Sequence, residues 1–333
     1  MRAVITGSAG FIGSHLAERL VADGWWVTGV DSFSPFYPTA EKEANLAGLV
    51  GERRFDLVRA DVAHTSSLDR LLADRPLVVH LAAQPGVIGS FGTGFGQYLQ
   101  DYLLATQRLF EAAATAGCPR VVYASSSSVY GDAEAYPCFE DATPTRPRSP
   151  YGVTKQACEK LAEVYAGLGL PTVGMRFFTV YGPRQRPDMA IRRLCEAATG
   201  GPRFLLRGDG SQIRDFTHVD DAVEAVVRAM TAQRPDPVLN IGGGEEASLV
   251  EVIRQLGRMS GAPVPVERHG VQIGDVRRTA GDTTKARTSI GWTPRVSLRD
   301  GLRTELDWVR ERREADVSRT TVADFSLIAG RAS

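Results

Sequence analysis

Short apolar runs alternate with longer segments of helical periodicity through the first half of the chain. Continuous apolar runs indicate buried strands, and apolar positions three and four apart indicate amphipathic helices. The predicted strands are RAVIT (2–6), WVTGVD (26–31), FDLVRAD (55–61), PLVVHLAA (76–83), RVVYASSS (120–127) and PTVGMRFFTVYG (171–182). The predicted helices are FIGSHLAERLVADG (11–24), GQYLQDYLLATQRLFEAAATAG (96–117) and PYGVTKQACEKLAEVYAGLG (150–169). This order predicts an α/β fold with a Rossmann-like, doubly wound parallel sheet that helices cover on both faces.

The sequence changes character after Tyr181, where proline, arginine and glycine become frequent and the elements become shorter. The change predicts a smaller, interleaved C-terminal substrate domain. We expect a Rossmann domain over residues 1–178 with a later contribution from about 215–242. The smaller domain is expected mainly over residues 179–313, followed by a tail over residues 314–333 that carries no clear core pattern.

Composition narrows the classes of function. Hydrophobic residues make up 43 % of the 333-residue chain, charged residues 23 %, and the formal net charge is zero. This balance argues against electrostatic binding of nucleic acid. No apolar stretch is long enough for a membrane span and the N-terminus does not resemble a signal peptide, so we expect a cytoplasmic protein with no membrane partner. The cysteines and histidines show no metal-ligand spacing, so no metal is expected.

A glycine-rich turn joins the first predicted strand to the first helix. The glycines allow a tight turn and let the backbone approach a pyrophosphate at the helix N-terminus. Asp31, at the end of the second strand, can accept hydrogen bonds from an adenosine ribose and would repel a 2′-phosphate, which favours NAD over NADP. Asp61 is a candidate for the adenine edge, with a helix N-cap as the alternative. The predicted NAD-binding residues are Gly7, Gly10, Phe11, Ile12, Gly13, Asp31, Asp61, Val62, Leu81, Ala82, Ala83, Tyr151 and Lys155.

Tyr151 and Lys155 are four residues apart and therefore share one face of a predicted helix. An isolated pair of this kind is by default a surface pair. Here it follows a strand that ends in serines in a nucleotide-binding fold, which favours catalysis. Tyrosine is a poor base at its ordinary pKa of about 10, and a nearby ammonium and a positively charged nicotinamide both favour the phenolate.

The glycine turn, the Tyr-x-x-x-Lys pair and the segment YASSSSVYGD (123–132) together resemble the extended short-chain dehydrogenase/reductase family, in particular its NAD-dependent nucleotide-sugar epimerases and dehydratases. The resemblance extends from residue 1 to roughly residue 310. It implies that Tyr151 takes a proton from a sugar hydroxyl while hydride passes to NAD, and that Ser126 shares this proton. It also implies a UDP-sugar substrate and a homodimer formed by the helices around residues 97–116 and 151–166.

The residues just before Val-Tyr-Gly distinguish the reactions of this family. Dehydratases carry Asp-Glu there and decarboxylases usually carry a glutamate, whereas this chain has Ser127 and Ser128. The pattern SSSSVYG and the segment RFFTVYGPRQRPDMA (176–190) are similar to UDP-glucuronate 4-epimerases. This similarity implies that the two serines and Arg186 hold the sugar carboxylate; a solvated loop arginine is the alternative for Arg186. Thr179 stands where many relatives with neutral sugars have asparagine.

Two further arginines and two departures complete the resemblance. It implies that Arg214 and Arg277 contact the UDP pyrophosphate, although either could be an ordinary surface residue. Ile88 stands where many relatives seem to carry arginine, and Tyr102 replaces a common asparagine. The predicted substrate-binding residues are Ser126, Ser127, Ser128, Tyr151, Thr179, Arg186, Arg214 and Arg277.

The sequence therefore predicts an isomerase that uses NAD to convert UDP-glucuronate to UDP-galacturonate through a transient 4-keto sugar. Its catalytic residues would be Ser126, Tyr151 and Lys155. A UDP-glucuronate decarboxylase or a neutral nucleotide-sugar 4-epimerase or dehydratase on the same scaffold is one alternative. A catalytically silent nucleotide-binding protein is the other.

Overall fold

The computed structural model describes residues 1–84, 86–270 and 276–329, with side chains through residue 315. The strands are β1 (Arg2–Thr6), β2 (Trp26–Asp31), β3 (Phe55–Arg59), β4 (Leu77–His80), β5 (Val121–Ser126), β6 (Thr172–Phe177), β7 (Thr179–Tyr181), β8 (Phe204–Arg207), β9 (Ile213–His218), β10 (Val238–Ile241), β11 (Glu245–Ser248) and β12 (Val266–His269). The helices are α1 (Phe11–Ala22), α2 (Thr39–Asn45), α3 (Leu68–Leu72), α4 (Phe95–Tyr98), α5 (Ala105–Ala116), α6 (Pro150–Gly167), α7 (Ala190–Ala198), α8 (Val219–Thr231), α9 (Leu249–Ser260), α10 (Thr284–Ile290) and α11 (Leu298–Ala329). A π-helical turn, Leu99–Leu104, joins α4 to α5.

Seven strands form one parallel sheet in the order β10-β6-β5-β4-β1-β2-β3. The prediction of a Rossmann-like, doubly wound sheet is confirmed. From β1 the chain moves outward to β2 and β3, and then returns to the other side of β1 at β4. The strand order therefore reverses between β1 and β4, and a crevice for ligands forms at the carboxyl ends of such strands.

Apolar side chains cover both faces of this sheet. On one face α1, α8 and α10 pack over residues such as Val79 and Val122. On the other face α3, α5 and α6 pack over their neighbours Val78 and Val121. Because both faces are buried, the strands have continuous apolar sequences instead of alternating ones.

The second half of the chain adds two small sheets, ordered β11-β9-β7 and β12-β8. With α7, α9 and α11 they enclose a separate apolar core that includes Leu194, Leu256 and Leu302. The predicted strand over residues 171–182 divides at Phe178, because β6 belongs to the large sheet and β7 pairs with β9. The amide of Phe178 donates to the carbonyl of Ile241 at 3.1 Å, which holds this crossing against β10.

The two parts of the chain interleave. After β9, in the small sheet, α8 packs on the large sheet and β10 joins its edge. At the other end, α11 continues through most of the predicted tail, 314–333, of which residues 330–333 lie outside the described part of the chain.

Candidate active site

A cavity of about 960 Å³ opens where the strand order reverses. The glycine turn, the ends of β2, β4 and β5, the start of α6 and the segment after β6 all contribute to its wall. The predicted site residues that line it are Gly7, Gly10, Phe11, Ile12, Gly13, Asp31, Asp61, Val62, Leu81, Ala82, Ala83, Ser126, Ser127, Ser128, Tyr151, Lys155, Thr179 and Arg186. Arg214 and Arg277 do not line this cavity, and their pyrophosphate contacts stay predictions.

The glycine turn is shaped so that only glycine fits at two of its positions. A Cβ at Gly13 would lie 2.1 Å from the carbonyl oxygen of Gly7. Gly7 has a φ of +72°, and its Cβ would lie 2.7 Å from the amide nitrogen of Ala82. Helix α1 then begins at Phe11 with Gly10 as an N-cap that provides no side-chain cap. Its first amides therefore suit an anionic ligand, and the turn fits a dinucleotide pyrophosphate.

Asp31 is buried at the end of β2, and its carboxylate is held in place by backbone amides. Oδ2 accepts a hydrogen bond from Ala9 at 3.1 Å, and Oδ1 accepts one from Phe33 at 2.8 Å. The Lys42 ammonium lies 3.5 Å from Oδ1, and both side chains are about nine-tenths buried. The arrangement leaves an oriented carboxylate beside the cavity, as the ribose of an adenine dinucleotide requires.

Lys42, which is not among the predicted site residues, also lines the cavity. It is one of four lysines in the chain, which is the signal that could have drawn attention to it. Its position on α2 has no strand or motif next to it. Only the fold brings it to Asp31.

Asp61 precedes a turn and not a helix, since the next helix, α3, begins at Leu68 with Ser67 as its N-cap. Its Oδ1 accepts from the amide of Ala63 at 2.8 Å, which caps the following turn, and its Oδ2 lies 2.9 Å from Nδ1 of His64. The side chain also lines the cavity. A contact with adenine stays a prediction.

The catalytic candidates converge from β5 and α6. Strand β5 ends at Ser126, whose Oγ accepts from the amide of Ser128 at 3.1 Å and so shapes the turn through Val129. Ser149 caps α6 by accepting from the amide of Gly152 at 3.1 Å, with Pro150 in the first turn. The helix therefore starts one residue before Tyr151 and directs this tyrosine and Lys155 toward the end of β5.

Lys155 is buried beneath this arrangement. Its ammonium donates to the carbonyl of Ala124 in β5 at 2.7 Å. Burial lowers the pKa of Lys155 to about 8, although nearby Cys158 and Glu159 raise it. The cation is therefore fixed against the sheet, one helical turn from Tyr151.

Burial raises the pKa of Tyr151, because a phenolate loses hydration in the cavity. Hydrogen bonding with Ser126, the charge of Arg186 and hydrogen bonding with Tyr102 all lower it. A positively charged ligand in the cavity would lower it further. This site can therefore hold a phenol that serves as a proton acceptor.

A buried ion pair anchors α6 behind the catalytic residues. The Arg176 guanidinium on β6 meets the Glu159 carboxylate twice, at 2.9 and 2.8 Å, with both side chains 6 % exposed. Ser125, next to Ser126, also donates to Glu159, and Arg176 donates to the hydroxyl of Tyr130 at 2.8 Å. No local sequence pattern predicts this network, because its members come from β5, the turn after it, α6 and β6.

Arg186 reaches the cavity from the segment after β7. Its guanidinium makes two 3.0 Å hydrogen bonds to the carboxylate of Asp188, which is 41 % exposed. Of the two departures, Tyr102 lines the cavity, whereas Ile88 is 59 % exposed and does not.

The model of the NAD dependent epimerase/dehydratase family matches residues 3–242, which include the glycine turn, the serine run and the Tyr-x-x-x-Lys pair. The chain belongs to this family. The predictions of the family, of NAD as the cofactor and of an NAD-dependent nucleotide-sugar epimerase are thereby confirmed.

Individual family members match over nearly their full length. The chain is 39 % identical over 314 residues to a Bacillus subtilis (strain 168) protein named uncharacterized UDP-glucose epimerase YtcB, covering 93 % of this chain and 98 % of that one. It is 34 % identical over 330 residues to a probable UDP-glucuronate 4-epimerase of Rhizobium meliloti (strain 1021), covering 92 % and 96 %. The crystal structure of UDP-glucuronic acid 4-epimerase from Bacillus cereus, in complex with UDP-glucuronic acid and NAD, has a TM-score of 0.89 and 39 % identity, covering 93 % and 99 %.

Two further properties concern the part of the chain that the structure describes. No helix there combines the length and the apolar character needed to cross a bilayer. No cluster of three or more His, Cys, Asp or Glu side chains there is arranged to hold a metal ion.

Proposed function

We propose that this protein is a UDP-glucuronate 4-epimerase that forms UDP-galacturonate. The observation that carries the proposal is the wall of the cavity beside Tyr151 and Lys155. Ser127 and Ser128 stand directly before Val-Tyr-Gly, where the resemblance implies a carboxylic acid in dehydratases and decarboxylases. These two serines line the wall together with Arg186. The site therefore offers hydroxyls and a guanidinium to a sugar carboxylate.

Each catalytic side chain has a distinct part in this reaction. Bound NAD supplies the acceptor for hydride from carbon 4 and later returns it. Tyr151 removes the proton of the C4 hydroxyl and gives it back, and Ser126 hydrogen-bonds the same oxygen. Lys155 provides the positive charge that favours the phenolate. The keto sugar turns between the two transfers, so that configuration at carbon 4 is inverted with no net redox change.

The carboxylate must be held because oxidation at carbon 4 of a uronic acid gives a β-keto acid. Such an acid loses carbon dioxide when the breaking carbon–carbon bond aligns with the carbonyl π system. Hydrogen bonds from Ser127, Ser128 and Arg186 would hold the carboxylate in another orientation and so suppress decarboxylation by geometry.

One observation favours a second candidate, the 4-epimerisation of a neutral UDP-hexose. Asp188 already neutralises Arg186 at two 3.0 Å contacts, which lowers the attraction of the cavity for a uronate. UDP-glucose is the natural test compound for this candidate.

Proton NMR of the purified protein with NAD and either UDP-glucuronate or UDP-glucose tests both candidates. We expect a growing UDP-galacturonate anomeric signal from UDP-glucuronate with no lasting NADH. A UDP-pentose or 4-keto-pentose would overturn the role of the serines and Arg186. Turnover of UDP-glucose alone would establish the second candidate, and no turnover of either would favour a nucleotide-binding protein.

We also propose a homodimer. Val153 and Val164 on α6 are 48 % and 59 % exposed, and Leu168, just after α6, is 72 % exposed. Leu99 and Leu104, on the π-helical turn, are about 40 % exposed. The π-helical turn packs against α6, so these exposed apolar side chains lie on the helical segments through which the resemblance implies contact with a second copy of the chain.

Sedimentation velocity tests the dimer. We expect Val164→Glu to give a monomer and Val50→Glu, at an 80 % exposed position outside this surface, to leave the dimer intact. A monomeric wild-type protein would overturn the proposal. The domain division at residues 178 and 313, and a cytoplasmic location, are likewise proposed.

A further inference from the structure

Tyr102 is a departure from the family pattern that lies inside the active site. It is 3 % exposed and belongs to the π-helical turn Leu99–Leu104. Turns of this kind are rare within helices and occur frequently at functional sites. The carbonyl of Tyr102 accepts a hydrogen bond from Sγ of Cys158 at 3.7 Å, which ties this turn to α6.

The ring of Tyr102 faces the two catalytic candidates of α6. The Lys155 ammonium lies 4.4 Å from its centroid, within the range of a cation–π contact. The Tyr151 ring packs against it edge-on at 5.6 Å between centroids. Lys155 is thus held between this ring and the carbonyl of Ala124.

A second aromatic ring keeps Tyr102 in place. Tyr98 stacks on it at 5.6 Å with an interplanar angle of 23°. The hydroxyl of Tyr98 points elsewhere, since it donates to the carbonyl of Gly86 at 2.7 Å. Tyr98 therefore supports the ring of Tyr102 beside Tyr151.

We propose that Tyr102 is a positioning residue, whose ring holds the Lys155 ammonium against β5 and whose hydroxyl donates to the Tyr151 phenolate. This inference rests on the proposed roles of Tyr151 and Lys155. Burial raises the pKa of Tyr102 well above its ordinary value, so its hydroxyl keeps the proton that it donates. In this chain a second phenol thus assists the catalytic one.

The proposal predicts two pKa shifts of opposite sign when Tyr102 is replaced. Loss of the Tyr102 hydroxyl removes a donor to the phenolate, so the pKa of Tyr151 rises. Loss of the ring removes an interaction that favours the charged ammonium, so the pKa of Lys155 falls below its buried value of about 8. The other titratable or charged groups that face these two residues are His80, Tyr98, Cys158, Glu159 and Arg186.

Two variants separate the effects. Tyr102→Phe removes the hydroxyl and keeps the ring, whereas Tyr102→Leu removes both. Tyr98→Phe makes the same chemical change as Tyr102→Phe one helical turn away and serves as the control.

The first readout is the tyrosinate absorbance of the NAD-loaded protein as a function of pH. Tyr151→Phe identifies the step that belongs to Tyr151. We expect Tyr102→Phe to raise the pKa of that titration step by about one to two pH units, which corresponds to the energy of a hydrogen bond to a charged group. Tyr98→Phe should leave it unchanged.

The second readout is the Kd of NAD as a function of pH, followed by protein fluorescence. Affinity should fall as pH rises and Lys155 loses its charge. We expect Tyr102→Leu to lose NAD affinity at a pH about one unit lower than the wild type does. Tyr102→Phe, which keeps the ring, should give the wild-type curve.

If Tyr102→Phe titrates as the wild type and Tyr102→Leu changes only thermal stability, Tyr102 is a packing residue and the inference is overturned. Neither readout requires turnover of a sugar. Shifts in a protein that does not convert UDP-glucuronate would therefore retain the positioning role and refute the proposed function.

Discussion

The catalytic helix and the arginine segment face the same cavity, but they are held in very different ways. Helix α6 is fixed from behind by the Glu159–Arg176 pair, 6 % exposed on each side, and by the contact of Lys155 with Ala124. Among the described residues, the side chain of Arg186 is held by Asp188, which is 41 % exposed.

The difference matches two proposed functions: α6 carries the residues for proton transfer, and the segment after β7 carries Arg186 for substrate binding. Proton transfer tolerates little change in geometry, so its residues are placed on a strand and a helix that a buried network joins. In the proposed function, substrate choice depends on Arg186, whose ion pair with the partly exposed Asp188 contributes little stability. The four predictions below test this contrast.

The largest effect is expected at the fixed half. Tyr151→Phe removes the proton acceptor and should lower kcat by about 10²- to 10⁴-fold with little change in the Kd of NAD. Proton NMR turnover and fluorescence titration measure the two quantities. A loss of NAD binding equal to the loss of kcat would show that the phenol serves binding instead.

Breaking the buried pair should destabilise the whole protein. Glu159→Gln leaves the Arg176 guanidinium without its partner charge and should lower the free energy of unfolding by about 3–5 kcal/mol. Urea denaturation measures it. Glu163→Gln, on the same helix in the exposed pair with Lys160, should cost less than about 1 kcal/mol. Equal costs for both changes would contradict the contrast between buried and exposed anchoring.

At the exposed half, the expected effect is on substrate choice. Arg186→Ala should raise KM for UDP-glucuronate by about 10- to 100-fold, the range for loss of a hydrogen bond to a charged group. Unfolding in urea should stay close to that of the wild type. An equal increase in KM for UDP-glucuronate and UDP-glucose would contradict this prediction, because it would place Arg186 away from the carboxylate.

The smallest effect is expected from the partner of that arginine. Asp188→Asn releases Arg186 from a competing carboxylate, so affinity for UDP-glucuronate should rise by at most about 5-fold. Isothermal titration calorimetry with the Tyr151→Phe background avoids turnover. A weaker affinity would show that Asp188 orients Arg186 for the substrate instead of competing for it.

Sequence patterns predicted the sheet, the glycine turn and the convergence of Ser126, Tyr151 and Lys155, because each depends on local periodicity or on the end of a strand. They missed Lys42 beside Asp31 and Glu159 beside Arg176. These partners meet only through packing of separate elements, and no local spacing marks them.

The limits of prediction are equally clear at residues assigned by resemblance alone. Arg214 does not line the cavity, and its contact with the UDP pyrophosphate stays a prediction. Tyr102 was noticed only as a departure from the family, and its contacts with Lys155 and Tyr151 emerge from the π-helical turn that carries it. A one-residue widening of a helix leaves no signature in apolar spacing.

The chain passes directly from β6, in the seven-stranded sheet, to β7, in the three-stranded sheet. Phe178 alone separates the strands, is 4 % exposed and is tied to β10. A hinge needs residues whose backbone torsions are free to change, and this junction provides none. We therefore expect the crossing at Phe178 to keep its conformation while substrate enters and product leaves the cavity.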